Sequence, residues 1–170
     1  MSFLDLAKKR YSCRKLSAQP VEEEKLQKIL EAGNLAPTAV NKQPFHIWVL
    51  KSEEAMQKVS QTTSFIFGAP VAFVVGSKAE SAFVRSFDKK NFADVDASIA
   101  ATHMMLEIEA LGLGTTWGGH FDAPKLKELF PEMADYELVA IFPVGYPAED
   151  AKPSARHAER AGIEMIADWL

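Results

Sequence analysis

A single cysteine, Cys13, stands in 170 residues, so no internal disulfide can form. Such thiol poverty predicts a reducing, cytoplasmic setting. Long apolar runs are missing too. A bilayer-crossing helix needs about 20 apolar residues, and the best uninterrupted candidate is the short run GAPVAFVVG, 68–76, which reads as a buried strand. The first residues hold no apolar signal-peptide core, and no membrane partner is expected. There is no excess of positive charge: 19 Lys and Arg stand against 23 Asp and Glu, a net charge of −4. Nucleic-acid binding wants a broad basic face, so none is expected. His46, His103, His120 and His157 are scattered and make no metal-ligand spacing. No Ser-His-Asp set, Walker motif or G-x-G-x-x-G after a strand can be found. Repeats, linkers and low-complexity stretches are absent as well.

What remains is an ordinary globular balance, 48% apolar and 25% charged, with mean hydropathy −0.07. One domain over 1–170 with a sizeable core is expected. Ser2 with Asp5 three residues on predicts a capped helix to Lys9. Acids after Pro20 and apolar residues on one face predict an amphipathic helix over 22–36. Strands are expected at 45–51, 70–76 and 138–146, and short helices at 53–61 and 123–130. The run 94–112, small or apolar on nearly all sides, predicts a central helix ended by Gly112. Within it, His103 reads as a core residue, and the pair Asp94 and Asp96 as its cap. No βαβ alternation is evident. The expectation is therefore α+β, with a mostly antiparallel sheet of about four to five strands flanked by helices. The apolar end, with Ile163, Ile166, Trp169 and Leu170, needs burial, and docking on its own domain is the simplest reading.

Against the acidic background, residues 8–15, KKRYSCRK, carry five cations. In an extended segment alternate residues share a side, so Arg10, Ser12 and Arg14 converge where two guanidinium forks and a hydroxyl suit a phosphate. An isolated R-x-S-x-R is more often a solvated basic face with no ligand. Cys13 then points the other way, as a packing residue. Three further stretches stand out. APTAVNKQPF, 36–45, is a two-proline loop rich in short amides and hydroxyls, able to face a flat heteroaromatic ligand. GLGTTWGGH, 112–120, holds four glycines that allow close backbone approach. GYPAEDAKPSAR, 145–156, places Lys152 and Arg156 among prolines and acids.

In order and spacing these four stretches resemble the nitroreductase family of FMN-dependent oxidoreductases. RYSCR is similar to its R-x-S-x-R, APTAVNKQPF to its P-[ST]-x-x-N-x-Q-P-aromatic loop, ALGLGTTWGG to its A-L-G-L-G segment, and VGYPAED with the following Arg to its C-terminal phosphate ligand. The resemblance runs from about residue 3 to 156. It implies that Arg10 and Ser12 hold the FMN phosphate with Arg156 and Lys152, and that Arg14 sits near the pyrimidine edge of the ring. Amides near Gly118 and Gly119 would face the ring beside Trp117. Pro37, Thr38 and Asn41 would reach in from a second subunit. It also implies a homodimer with an exchanged C-terminal segment. NAD(P)H would be the electron donor, and nitroaromatics, quinones or similar small molecules the acceptors, with ping-pong turnover and no side chain acting as acid or base. The alternative is a flavin-binding carrier or sensor with little turnover.

The match departs in three places. Phe45 replaces the usual Trp. TTSFIFGA, 62–69, lacks the Asn and Lys pair that larger members aim at the pyrimidine, leaving Thr62 or Ser64 as substitutes. The 77–93 stretch is short, with Phe83, Arg85 and Phe87 read either as pocket lining or as plain surface and core.

Overall fold

A computed structural model describes residues 2–170. The first helix, α1 (Phe3–Lys9), starts from a reciprocal cap. The Ser2 hydroxyl accepts from the Asp5 amide at 3.2 Å, and the Asp5 carboxylate accepts from the Ser2 amide at 3.0 Å. Further helices are α2 (Glu23–Asn34), α3 (Glu53–Ser60), α4 (Ala93–Ala110) and α5 (Ala123–Leu129). The strands are β1 (Phe45–Leu50), β2 (Val71–Ser77), β3 (Gly114–Thr115) and β4 (Glu137–Gly145), in the order β1-β2-β4-β3 with every neighbour antiparallel. The architecture is α+β, with a four-stranded sheet.

β2 is central and buried at every residue. Its alternation divides the core. Val71, Phe73 and Val75, with Ala140, Phe142 and Val144 of β4, pack under Leu26 and Ile29 of α2 and Ala97, Ala101, Met104 and Ile108 of α4. Ala72 and Val74 face the other way, with Leu138 and Ile141, onto Val59 of α3 and Leu126 of α5. One residue breaks the alternation. Val75 lies opposite Ala140 but Gly76 lies opposite Leu138, so Val139 is an extra, bulged residue in β4. That slip lets Leu138 and Ala140 face opposite layers.

Several expectations are corrected here. Asp94 and Asp96 sit in the first turn of α4, but neither caps it; the cap residue is Phe92, without a side-chain bond. Both carboxylates tie other segments to the helix instead. Asp94 accepts from the Ser77 hydroxyl, and the buried Asp96 accepts from the Ala39 amide at 2.9 Å. His103 is half-buried beside Phe3 in an open groove along α4 rather than in the core. The end of the chain forms only a short 3-10 turn, Ile163–Met165, and Ile163, Ile166, Trp169 and Leu170 are all exposed, so it does not dock on its own body. In the short 77–93 stretch, Phe83 stacks on Phe92 at 5.8 Å, Arg85 pairs with Asp88, and Phe87 is 96% exposed. None of the three lines a hollow described below. No helix among the described residues is long and apolar enough to cross a membrane.

Phe73 is fully buried at the centre of the layer under α2 and α4. Phe73→Ala is expected to lower stability by about 3–5 kcal/mol, read as a lower urea midpoint at unchanged slope.

Candidate flavin site

The segment after α1 runs extended. Ser12 bridges Thr115 of β3 in parallel, and the Cys13 amide donates to the Thr115 carbonyl at 2.8 Å. Further on, the Leu16 amide donates to Phe67 at 2.9 Å, the Ser17 amide to Tyr146 at 2.8 Å, and the Ala148 amide to Lys15 at 3.1 Å. The same few residues thus join β3, the 62–69 turn and the chain leaving β4. Extended backbone alternates its side chains, as expected. Cys13 is fully buried against Leu16 and Ala69, while Arg10, Ser12 and Arg14 share the opposite side. A Cβ on Gly114 would lie 2.9 Å from Leu16 Cδ2 and 3.0 Å from Cys13 Cβ, so this approach requires glycine there. Burial pushes the neighbouring Tyr11 hydroxyl up to about 12, with Cys13 adding to the rise, so it stays protonated at neutral pH.

Two hollows meet at Arg14. The first, of about 230 Å³, is lined by Arg10, Ser12, Arg14, Ser154, Arg156, His157 and Arg160. It holds four of the chain's five arginines. None of these four pairs with a carboxylate among the described residues, whereas the fifth, Arg85, pairs with Asp88. Unpaired guanidinium groups pointing at one space repel one another unless an anion lies between them. The second hollow, of about 200 Å³, is lined by Arg14, Phe65, Phe67, Thr116, Trp117, Gly118, Gly119 and His120. Trp117 is held edge-on to Phe142 of the core at 5.1 Å. A polycationic end and an aromatic, backbone-lined end thus adjoin, which fits a flat ring carrying a phosphate tail.

The expected residues do not all meet in one place. Arg10, Ser12, Arg14 and Arg156 come together, as do Trp117, Gly118 and Gly119. Lys152 does not join them. The turn closed by the Ala151 amide on Ala148 tucks Ala151 against Cys13 and Leu16 and leaves Lys152 in solvent. Pro37, Thr38 and Asn41 line neither hollow. Their loop is held from below by Asp96 and across by the Gln43 amide donating to Thr38 Oγ1 at 3.0 Å, with positive φ at Val40, Asn41 and Gln43. One expected donor is also corrected. The Gly118 amide donates to Ile141 at 2.9 Å and its carbonyl accepts from Ile141 at 2.9 Å, so it cannot serve a ligand. A Cβ there would sit 2.8 Å from the Ile141 carbonyl oxygen, and this is why position 118 is glycine. The Gly119 and His120 amides donate to no protein acceptor among the described residues.

Sequence reasoning missed Ser154, His157, Arg160, Phe65, Phe67 and His120. Arg160 follows Arg156 by one helical spacing, and Phe65 and Phe67 alternate within TTSFIFGA; both signals were available.

A family model for the Nitroreductase family matches residues 7–64 and 61–146. The chain belongs to the nitroreductase family. A Methanothermobacter thermautotrophicus protein, provisionally named an NADH dehydrogenase/NAD(P)H nitroreductase, is 30% identical over 157 residues, 88% of this chain and 80% of its own length. The crystal structure of a nitroreductase family protein from Clostridium difficile 630 superposes with TM-score 0.91 at 35% identity, covering 99% of this chain and 98% of the other. An Exiguobacterium sibiricum protein solved in complex with FMN shares the fold at TM-score 0.86 and 22% identity, over 100% and 98% of the two chains.

Gly118→Ala forces the 112–120 segment away from β4 and breaks its paired bonds. A loss on the order of 1–3 kcal/mol is expected, checked by thermal unfolding against Gly119→Ala, where a Cβ meets nothing within 4 Å.

Proposed function

We propose that the chain, acting as one domain over 1–170, is an FMN-dependent oxidoreductase that takes electrons from NAD(P)H. The observation that carries this reading is the set of four unpaired arginines beside an aromatic hollow, joined through Arg14. The names of the relatives agree with it. Bound there, FMN would accept a hydride from NAD(P)H and deliver the electrons to a nitroaromatic, a quinone or a similar acceptor.

The chain's own residues supply the rest. Arg10, Ser12, Arg156 and Arg160 grip the phosphate. Arg14, at the junction, puts a fixed cation beside the ring and favours negative charge on it. The free Gly119 and His120 amides face the ring as donors. Three charge-assisted phosphate contacts contribute roughly 1.5–3 kcal/mol each, against an association cost on the order of 4–15 kcal/mol. The ring must therefore be buried as well. A second copy of the chain can do this, bringing its Pro37, Thr38 and Asn41. The groove of about 620 Å³ along α4, lined by Phe3, Val95, Ile99 and Leu106 among others, and the exposed 163–170 tail supply apolar surface for such a dimer with exchanged ends. One observation favours the carrier or sensor reading: the 62–69 turn offers Phe65 and Phe67 to the ring end in place of a polar pair.

Reconstitution with FMN tests the proposal. A yellow dimer that oxidises NAD(P)H in the presence of a quinone is expected, and a colourless chain that binds no FMN would falsify it. Firmly held FMN without turnover would favour the carrier. Arg10→Ala is expected to weaken FMN binding about 10–150-fold, the loss of one charge-assisted contact, measured by flavin fluorescence quenching.

A further inference from the structure

We infer that His120 is the proton donor to the electron acceptor, and that the hydroxyl-bearing hollow beside it seats that acceptor, a quinone-type carbonyl compound. The inference rests on the flavin reading above. A hollow of about 430 Å³, lined by Thr62, Thr63, Ser64, His120, Phe121 and Asp122, adjoins the aromatic one, and His120 lines both.

The backbone at His120 is fixed from both sides. Upstream, Gly118 and Ile141 exchange two hydrogen bonds. At the residue itself, Thr63 Oγ1 donates to the His120 carbonyl at 2.9 Å, and downstream the Asp122 amide donates to Thr62 at 2.9 Å. The imidazole, in contrast, is exposed and lies edge-on to Phe65 at 5.8 Å, with neither ring nitrogen hydrogen-bonded among the described residues. An anchored backbone thus carries an uncommitted proton-exchanging ring at the junction of the two spaces.

The other charged groups there cannot take this role. Arg14, across the aromatic hollow, carries a guanidinium, a fixed cation and hydrogen-bond fork rather than a proton donor. Asp122 accepts from the Lys125 amide at 3.0 Å as the N-cap of α5, so its carboxylate is committed to the helix end. No charged side chain faces the ring from the 62–67 turn. Of the side chains here, the imidazole is the one suited to passing on a proton and taking one up again. In the step, a quinone takes a hydride equivalent originating from NAD(P)H, and its oxygen takes the imidazolium proton, giving the hydroquinone. The imidazole regains its proton from solvent. The Ser64 hydroxyl offers the bound carbonyl a hydrogen bond.

The test uses FMN-loaded protein and its His120→Gln variant, with duroquinone as acceptor and ferricyanide as an electron acceptor that needs no proton. In rapid mixing, the variant's rate with duroquinone relative to ferricyanide is expected to fall about 100-fold or more. Independently of turnover, the His120 imidazole NMR signal of the oxidised protein should shift on titration with duroquinone, while those of His46 and His103 stay put. A purely structural role would lower both rates together. An unchanged ratio, or a His120 signal that does not move, overturns the inference while the flavin reading stands; protein that binds no flavin removes both.

Discussion

The site depends on one backbone seam, where residues 12–17 lie between β3 and the chain leaving β4. Its bonds are ordinary, from the Cys13 amide on Thr115 to the Ser17 amide on Tyr146. Their effect is to bring residues from the two ends of the sequence to one place. Arg10 and Arg14 are set by the strand-like alternation of the seam, and Arg156 and Arg160 by the segment that follows it out of β4. The buried Cys13 is the reverse side of the same alternation, which is why a thiol stands in the middle of a cationic knot without taking part in its chemistry.

The glycine-rich stretch after α4 serves a packing purpose first. Gly114 admits Leu16 and Cys13, and Gly118 admits the Ile141 carbonyl. With those contacts in place, Gly119 and His120 are presented at the surface with free amides, beside a Trp117 braced on the core. The β4 bulge at Val139 contributes from a distance. By shifting which β4 residues face which layer, it leaves Ile141 both facing the α5 side and bridged to Gly118. Rigid core elements thus aim groups that lie on connecting segments.

Much of this was legible in the sequence because it is local. The capping box at Ser2, the alternation in RYSCR and the unbroken apolar run that becomes the fully buried β2 all follow from neighbours within a few residues. What escaped depends on partners distant in sequence. Nothing in GLGTTWGGH says that Gly118 bonds Ile141, so from the sequence its amide looks free. Asp94 and Asp96 look like caps until Ser77 and Ala39 are placed beside them. His103 sits on an apolar helix, but no other described element packs over its face, which stays an open groove beside Phe3. Trp169 likewise stays exposed at the end of the chain, although its apolar ring predicts burial.

The four arginines have a cost for the chain that carries them. Set around a hollow of about 230 Å³ with no carboxylate among them, they repel one another, though solvent screens the effect because three of the four are exposed. Under the flavin reading, the ligand that neutralises them also stabilises the native form by mass action, about 2.7 kcal/mol at a hundredfold excess over its dissociation constant. On that reading the empty form would unfold more readily than the occupied one, so the cofactor would act as part of the fold's own support.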